Sequence, residues 1–464
     1  MSSLIDSPCF WITAQLLVLM VVGYVLGWWH IQIHPDSQSY IDVSGMALRQ
    51  ALSQTRTLGY TMILRLVAVI SADYSAIPWL QVGMLWPAVF MLYFAMRRFG
   101  ALKWQAYIVS SGFMCGAIQQ VWTVSSLLTD FPATVFAGMA IACLLMVAAN
   151  THDLWAWIGL TFFITLAYHI RPAYLFLIPL VPVLGIILAR ICAIKRGILF
   201  AWKKKILLLM AISFLPFVLF CFLRWALVGD FALVAFGGTQ TVGLAAELLN
   251  TKMVENELSK SFQPFAREIL KGRQERGLKA AFPEGWLVDM RAYEDNYSPN
   301  IYFIALPSAK RLFGEEVIIR NRKMADFSRE VMGLQKRKCL MWAIQYWPRA
   351  LLKVMYRYWI LQISIPLLSL LFIIHRFKWY QSIQSCPEKM QLNNPDKSVL
   401  SALLWINALY FGSAVSVLIL SGTYADSRLI VPTAVFLPSL VGLLILQELQ
   451  SICNLKKILN KEVI

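Results

Sequence analysis

Charge is scarce in this sequence. Only 14% of its 464 residues are Asp, Glu, Lys or Arg, against about 25% in an ordinary soluble domain. Hydrophobic residues make up 59%, far more than a water-soluble core of this length needs, which excludes a freely soluble enzyme or binding domain. Cysteines are scattered singly, mostly inside apolar runs. With no CxxC and no zinc-like spacing, neither a disulfide framework nor a cysteine metal site is encoded. Also missing are GxxxxGK[ST], GxGxxG after a strand, HExxH and GxSxG. Phosphate-loop, dinucleotide, zinc-protease and serine-hydrolase chemistry therefore have no motif behind them. Internal repeats and low-complexity tracts are lacking too.

What is there is a succession of apolar runs, each long enough to cross about 30 Å of hydrocarbon, which takes roughly 20 helical residues. Ten spans are predicted, at 9–29, 76–96, 104–121, 131–149, 154–170, 172–190, 206–228, 351–374, 398–420 and 428–447. The first is too long for a signal-peptide core and lacks a basic flank and a cleavage site, so it is expected to be a retained helix. The predicted fold class is an all-α polytopic membrane protein in three parts. Residues 1–228 form a transmembrane module of about seven helices, 229–350 a mostly helical outward region, and 351–464 a C-terminal module of about three helices. Stretches 41–52 and 60–70, in the first outward loop (30–75), read as short amphipathic helices lying in the interface.

The formal net charge of +17 is not gathered on one soluble domain, so a nucleic-acid partner is not expected. Instead Lys and Arg collect in alternate links: Arg97, Arg98 and Lys103, then Arg190 to Lys205, then Arg376 to Lys397 and the C-terminal lysines. By the positive-inside rule these links and both termini are cytoplasmic. The loop 30–75, the turn near 127–131, the region 229–350 and the turn 421–426 then face outward.

Charges at membrane boundaries are costly and tend to be functional. Asp36 follows the first span in His34-Pro35-Asp36-Ser37-Gln38-Ser39-Tyr40, and Arg56 lies in Arg56-Thr57-Leu58-Gly59-Tyr60. Asp36 suits a helix cap as well as a catalytic base. Asp130, in Thr129-Asp130-Phe131-Pro132, is the one charge of an outward turn, and is compatible with a cap. Arg171, in His169-Ile170-Arg171-Pro172, suits snorkelling to the interface, and Arg428 suits an ion pair with Asp426. Each has a plain structural role, yet the topology brings all four to one outward surface. Carboxylates beside arginines suit a transfer in which a base activates a hydroxyl while guanidiniums hold a phosphate.

This order of elements resembles the GT-C fold glycosyltransferases. Asp36-Ser37-Gln38-Ser39-Tyr40 is similar to the first-loop acidic motif of that family. Arg56-Thr57-Leu58-Gly59-Tyr60 is similar to a segment usually written Arg-x-Pro-Gly-Tyr-Pro, with Leu58 and Thr61 in place of the prolines. Asp130 falls at the second acidic position, Arg171-Pro172 at an Arg-Pro element, and Arg428 with Pro432 at a closing Arg-Tyr-x-x-Pro segment, with Leu429 where Tyr is expected. The resemblance implies inverting transfer of a sugar from a polyprenyl-phosphate carrier to a glycan or lipid acceptor, such as lipopolysaccharide or O-antigen, on the outer face of a bacterial inner membrane. It makes Asp36 the general base, with Asp130 orienting an acceptor, holding an arginine or binding a divalent metal. Arg56, Arg171, Arg428 and Arg224, with Tyr40, Tyr60 and His169, become the substrate-binding set. Trp286, Tyr293 and Tyr297 of the outward region could stack on sugars, or simply sit at the interface. A secondary transporter or lipid-linked sugar flippase is the rival reading, and a non-catalytic subunit or scaffold the third.

Overall fold

A computed structural model describes residues 7–119, 124–196, 203–283, 287–358, 362–363, 366–368, 370–371, 397–424 and 427–461. The protein is all-helical over these residues. The membrane part opens with α1 (Pro8–Val25), α2 (Pro35–Ser44), α3 (Leu48–Ser53), α4 (Leu58–Ile70), α5 (Ile77–Phe99), α6 (Lys103–Ala117), α7 (Asp130–Ala149) and α8 (Leu154–Ile170). A 3-10 turn (Pro172–Phe176) leads into α9 (Leu177–Arg196), followed by α10 (Lys203–Val228). The region predicted to face outward holds α11 (Gly237–Leu248), α12 (Thr251–Asn256), α13 (Gln263–Glu275), α14 (Met290–Ser298), a π-helical turn (Pro299–Ala305), α15 (Leu306–Phe313), α16 (Val317–Leu334) and α17 (Lys336–Arg357). α18 (Lys397–Leu420), the single turn α19 (Ser427–Ile430), a 3-10 turn (Val431–Ala434) and α20 (Leu437–Lys461) complete the chain.

Among the described residues, seven helices are long and apolar enough to cross a membrane. The expected ten counted apolar runs. Two of those runs fold as helices of 15 and 17 residues, α6 and α8, a little short of a full crossing. The expected span 351–374 begins inside α17, which starts earlier, at Lys336, and most of its remainder lies outside the described residues. The stretch expected to lie in the interface breaks differently too: three helices form where two were expected, with α2 ending at Ser44 and α3 starting at Leu48.

Helix α7 is buried on nearly all sides, and its composition shows why: apart from Asp130 it carries no charge, and apolar residues circle it completely. It packs against α5, α6, α8 and α9. At one end of it, Arg98 pairs with Asp153, and Lys205 Nζ donates to Thr151 Oγ1 at 3.0 Å. These basic links therefore share a side. The 20 residues of α7, at about 1.5 Å each, place Asp130 about 30 Å away, one hydrocarbon thickness. Gly112 and Gly116 of α6 bring that helix against the backbone of the α20 start, where a Cβ at Gly116 would sit 2.1 Å from the Val435 carbonyl oxygen. Ser439 Oγ donates to the Val109 carbonyl at 2.7 Å in the same contact. This small-residue docking fixes the segment that carries Arg428.

Helices α11–α17 build a second hydrophobic core together with Val415 and Leu418 of α18, Ile430, Val431, Ala434 and Val441. At its centre Glu247, fully buried, accepts from Arg273 Nη2 at 3.0 Å and Asn300 Nδ2 at 2.6 Å, and Arg273 also donates to Asn300 Oδ1 at 3.1 Å. A buried ion pair is stable only when satisfied this fully, and here it ties α11, α13 and the π turn together. Helix α17 runs through residue 350, so the expected boundary there falls inside a continuous helix.

Candidate active site

Two local devices bring distant acids and arginines to the end of α7 where Asp130 lies. Ahead of α2 the chain runs extended: Gln32 N donates to Ser125 O at 2.9 Å, and Leu127 N to Gln32 O at 3.0 Å. Ser37 Oγ accepts from His34 N at 2.9 Å and donates to Leu127 O at 2.9 Å, while the His34 ring and Ser126 Oγ share a 2.8 Å bond. Ser125, Ser126 and Leu127 all lie just before α7. The first turn of α2, with Asp36, is thus pinned beside the start of α7, with Asp130.

The second device joins α4 to the end of α8. Thr57 Oγ1 donates to the Ile170 carbonyl at 2.9 Å, and a Cβ at Gly59 would lie 2.6 Å from the His169 carbonyl oxygen. Only glycine allows this approach, which seats Arg56 near Arg171. Gly59→Ala is expected to push the two helices apart and destabilise the purified protein by roughly 1–3 kcal/mol, as overpacking does. An unchanged melting temperature would show that the contact yields freely.

The result is an unbroken chain of ion pairs. Arg56 Nη2 donates to Asp36 Oδ1 at 2.9 Å, and Arg428 Nη1 to Asp36 Oδ2 at 3.0 Å. Arg428 Nε donates to Asp130 Oδ2 at 3.1 Å. Asp130 Oδ1 lies 2.7 Å from Arg171 Nη1, off the line of a good hydrogen bond, and the same nitrogen is 3.2 Å from Thr129 Oγ1. Three guanidiniums against two carboxylates leave one positive charge in excess. The chain grades from buried to open, since the Asp130 side chain is 1% exposed and that of Asp36 is 36%. Burial pushes the Asp36 carboxyl up, but Arg56 and Arg428 outweigh it and hold the group below its ordinary range.

Both acids stand in the first turn of a helix, yet their carboxylates go to arginines rather than to capping bonds. Arg171 is directed to Asp130 and does not snorkel. Asp426 lies outside the described residues. Arg56 is held further by Ser39 Oγ, which accepts from its Nε at 2.7 Å, and by the Tyr40 ring, 4.6 Å from the guanidinium. Tyr60 packs edge-on against Tyr40 and is fully buried, so it buttresses Arg56 at second hand and presents no surface to a substrate.

Two expected residues are not part of this chain. The His169 ring faces Phe220 of α10, with ring centroids 4.3 Å apart. Arg224, 1% exposed, donates to Leu52 O at 2.9 Å and Ala232 O at 3.1 Å and pairs with Asp230, which makes it a pin between α10, the end of α3 and the loop after Val228. Trp286 lies outside the described residues. Tyr293 and Tyr297 are buried, against Trp342 and Tyr424, and are not available to stack on a sugar. Asn296, whose Asn296-Tyr297-Ser298 sequence has the form of a glycosylation acceptor, is buried as well, with Nδ2 donating to Lys279 O at 2.6 Å, so a glycan has no room there. The stretch with Gly237 and Gly238 packs α11 against α16 through Asn321. The two acids of the chain do not fit a divalent metal as arranged, since each meets two guanidiniums, and no group of three His, Cys, Asp or Glu gathers among the described residues.

One residue was missed. Tyr302, on the π turn, is 46% exposed and feels the charges of Asp36, Arg56 and Arg428, with burial and then Asp36 raising its phenol. Tyr302 thus lies within range of the charges of the ion-pair chain, on a π turn, a feature frequent at functional sites. No motif surrounds Tyr302. Compared with family models, curated proteins and solved structures, the chain finds no match in any of the three.

Proposed function

We propose that this chain is an inverting glycosyltransferase embedded in the cytoplasmic membrane, moving a sugar from a polyprenyl-phosphate carrier to an envelope glycan or lipid on the outer face. The observation that carries the reading is the Arg56–Asp36–Arg428–Asp130–Arg171 chain, assembled from four distant stretches of sequence at one end of the bundle. The same residues are those on which the GT-C resemblance rests. In this reading helices α6 and α8 also cross the membrane, and the basic links of Arg98 and Lys205 set the opposite end in the cytoplasm.

In this reading Asp36 takes the acceptor hydroxyl proton as the oxygen attacks the anomeric carbon. The bond from that carbon to the phosphate oxygen breaks on the opposite face, and its electron pair leaves with the phosphate. Arginines stabilise the charge that develops there. One base and one good leaving group suffice for inversion. Purified protein incubated with a panel of polyprenyl-phosphate sugars and envelope acceptors is expected to consume one donor and release its lipid phosphate. Labelling that puts Asp36 on the cytoplasmic side would overturn the proposal. A flippase, the rival suggested by the same buried charge, would move a donor without consuming it.

In this reading the Tyr302 phenol, within range of the charges of Asp36, Arg56 and Arg428, donates to the phosphate or the acceptor. Tyr302→Phe is expected to lower kcat/KM about tenfold, the worth of one hydrogen bond to a charged group. Wild-type kinetics in this variant would reduce Tyr302 to a surface residue.

A further inference from the structure

We infer that Asp36 is a built-in competitor of the substrate phosphate: a phosphate group binds by taking Arg56 and Arg428 from Asp36, and that exchange is what releases the Asp36 carboxylate to act as a base. The inference rests on reading the site as a donor-phosphate site. It starts from a conflict in the geometry. Both oxygens of Asp36 carry a guanidinium, at 2.9 and 3.0 Å, and a carboxylate held by two cations is a poor proton acceptor. The groups that should receive the phosphate are thus the groups that silence the base.

Carboxylate and phosphate compete for the same planar fork of N–H donors, so one event resolves the conflict. The chain is graded in the way such an exchange needs. Pairs at the Asp36 end are partly exposed, and exposed pairs are weak. At the Asp130 end the carboxylate is 1% exposed, hydrogen-bonded to Arg428 and ion-paired with Arg171, and buried pairs hold. Arg428 touches both acids. It can let go of Asp36 while its Nε keeps Asp130, so the cation stays anchored as its other edge turns to the ligand. The base then becomes competent only with a phosphate present, which suppresses idle proton transfer in the empty site.

The sign of one measurement tests this. If Asp36 competes with the ligand, removing its charge must tighten binding; if Asp36 contacts the ligand directly or through a cation, removal must weaken it. Binding of a short prenyl phosphate to detergent-purified full-length protein is expected to be about tenfold tighter in Asp36→Asn than in wild type, and weaker in Arg56→Ala. Asp36→Ser carries the same expectation should the Asn variant fail to elute as a single species. Inorganic phosphate as a second probe shows whether the tail is needed, and prenyl alcohol should gain nothing. Unchanged or weaker prenyl phosphate binding in the charge-removed variants, or an equal gain for prenyl alcohol, overturns the exchange. The binding assay involves no sugar transfer: tighter binding in Asp36→Asn with no donor turned over by the wild-type protein keeps the exchange and sinks the transferase, whereas active wild-type transfer with unchanged binding in the variant does the reverse.

Discussion

Asp36→Asn is expected to abolish sugar transfer, lowering kcat/KM by about 10²–10⁴-fold, the range that a positioned general base supplies. Asparagine keeps the shape and can still accept from Arg56 and Arg428, but its amide takes no proton. The variant should elute like wild type, because Asp36 is only partly buried and sits at a helix start held by Ser37, His34 and Gln32. Loss of transfer together with retained or improved donor binding would separate chemistry from binding in a single protein. Near-normal turnover would remove Asp36 from the reaction and leave the ion-pair chain as scaffolding.

The membrane character and the all-helical fold were legible because hydrocarbon leaves a backbone few choices. Legible too were Asp36, Arg56, Asp130, Arg171 and Arg428, since a charge at a membrane boundary stands out against apolar neighbours. Their individual roles were ambiguous locally: Asp130 in front of Pro132 reads as a cap, and only the fold shows its carboxylate turned to two arginines. The errors have a common cause. Tyr60, Tyr293 and Tyr297 looked like ligand-facing aromatics, but sequence does not tell an aromatic that lines a cleft from one that fills a core, and all three fill cores. Arg224 looked like a cation near the outward end of a span, and its partners Leu52 and Ala232 are backbone carbonyls that no side-chain pattern reveals. Tyr302 was invisible for the opposite reason. It lies on a π turn, whose register no apolar periodicity announces.

Arg171→Ala is expected to cost about 3–5 kcal/mol of stability, because it leaves a nearly inaccessible carboxylate short of one of its two cations. Were Arg171 merely at the lipid interface, the loss would stay under about 1 kcal/mol. The double variant Arg171→Ala with Asp130→Asn distinguishes this charge effect from lost packing. Once Asp130 is neutral, Arg171 has no carboxylate to serve, so most of the stability should return, and a thermal-melting cycle should show a coupling energy of about 2 kcal/mol or more. Donor affinity should not return with it. A phosphate bound near Arg171 loses that cation in the single and the double variant alike, so both should bind prenyl phosphate several-fold more weakly than Asp130→Asn alone. Stability and affinity recovering together would make Arg171 a structural partner of Asp130 and nothing more; stability recovering while affinity stays low assigns it to the phosphate.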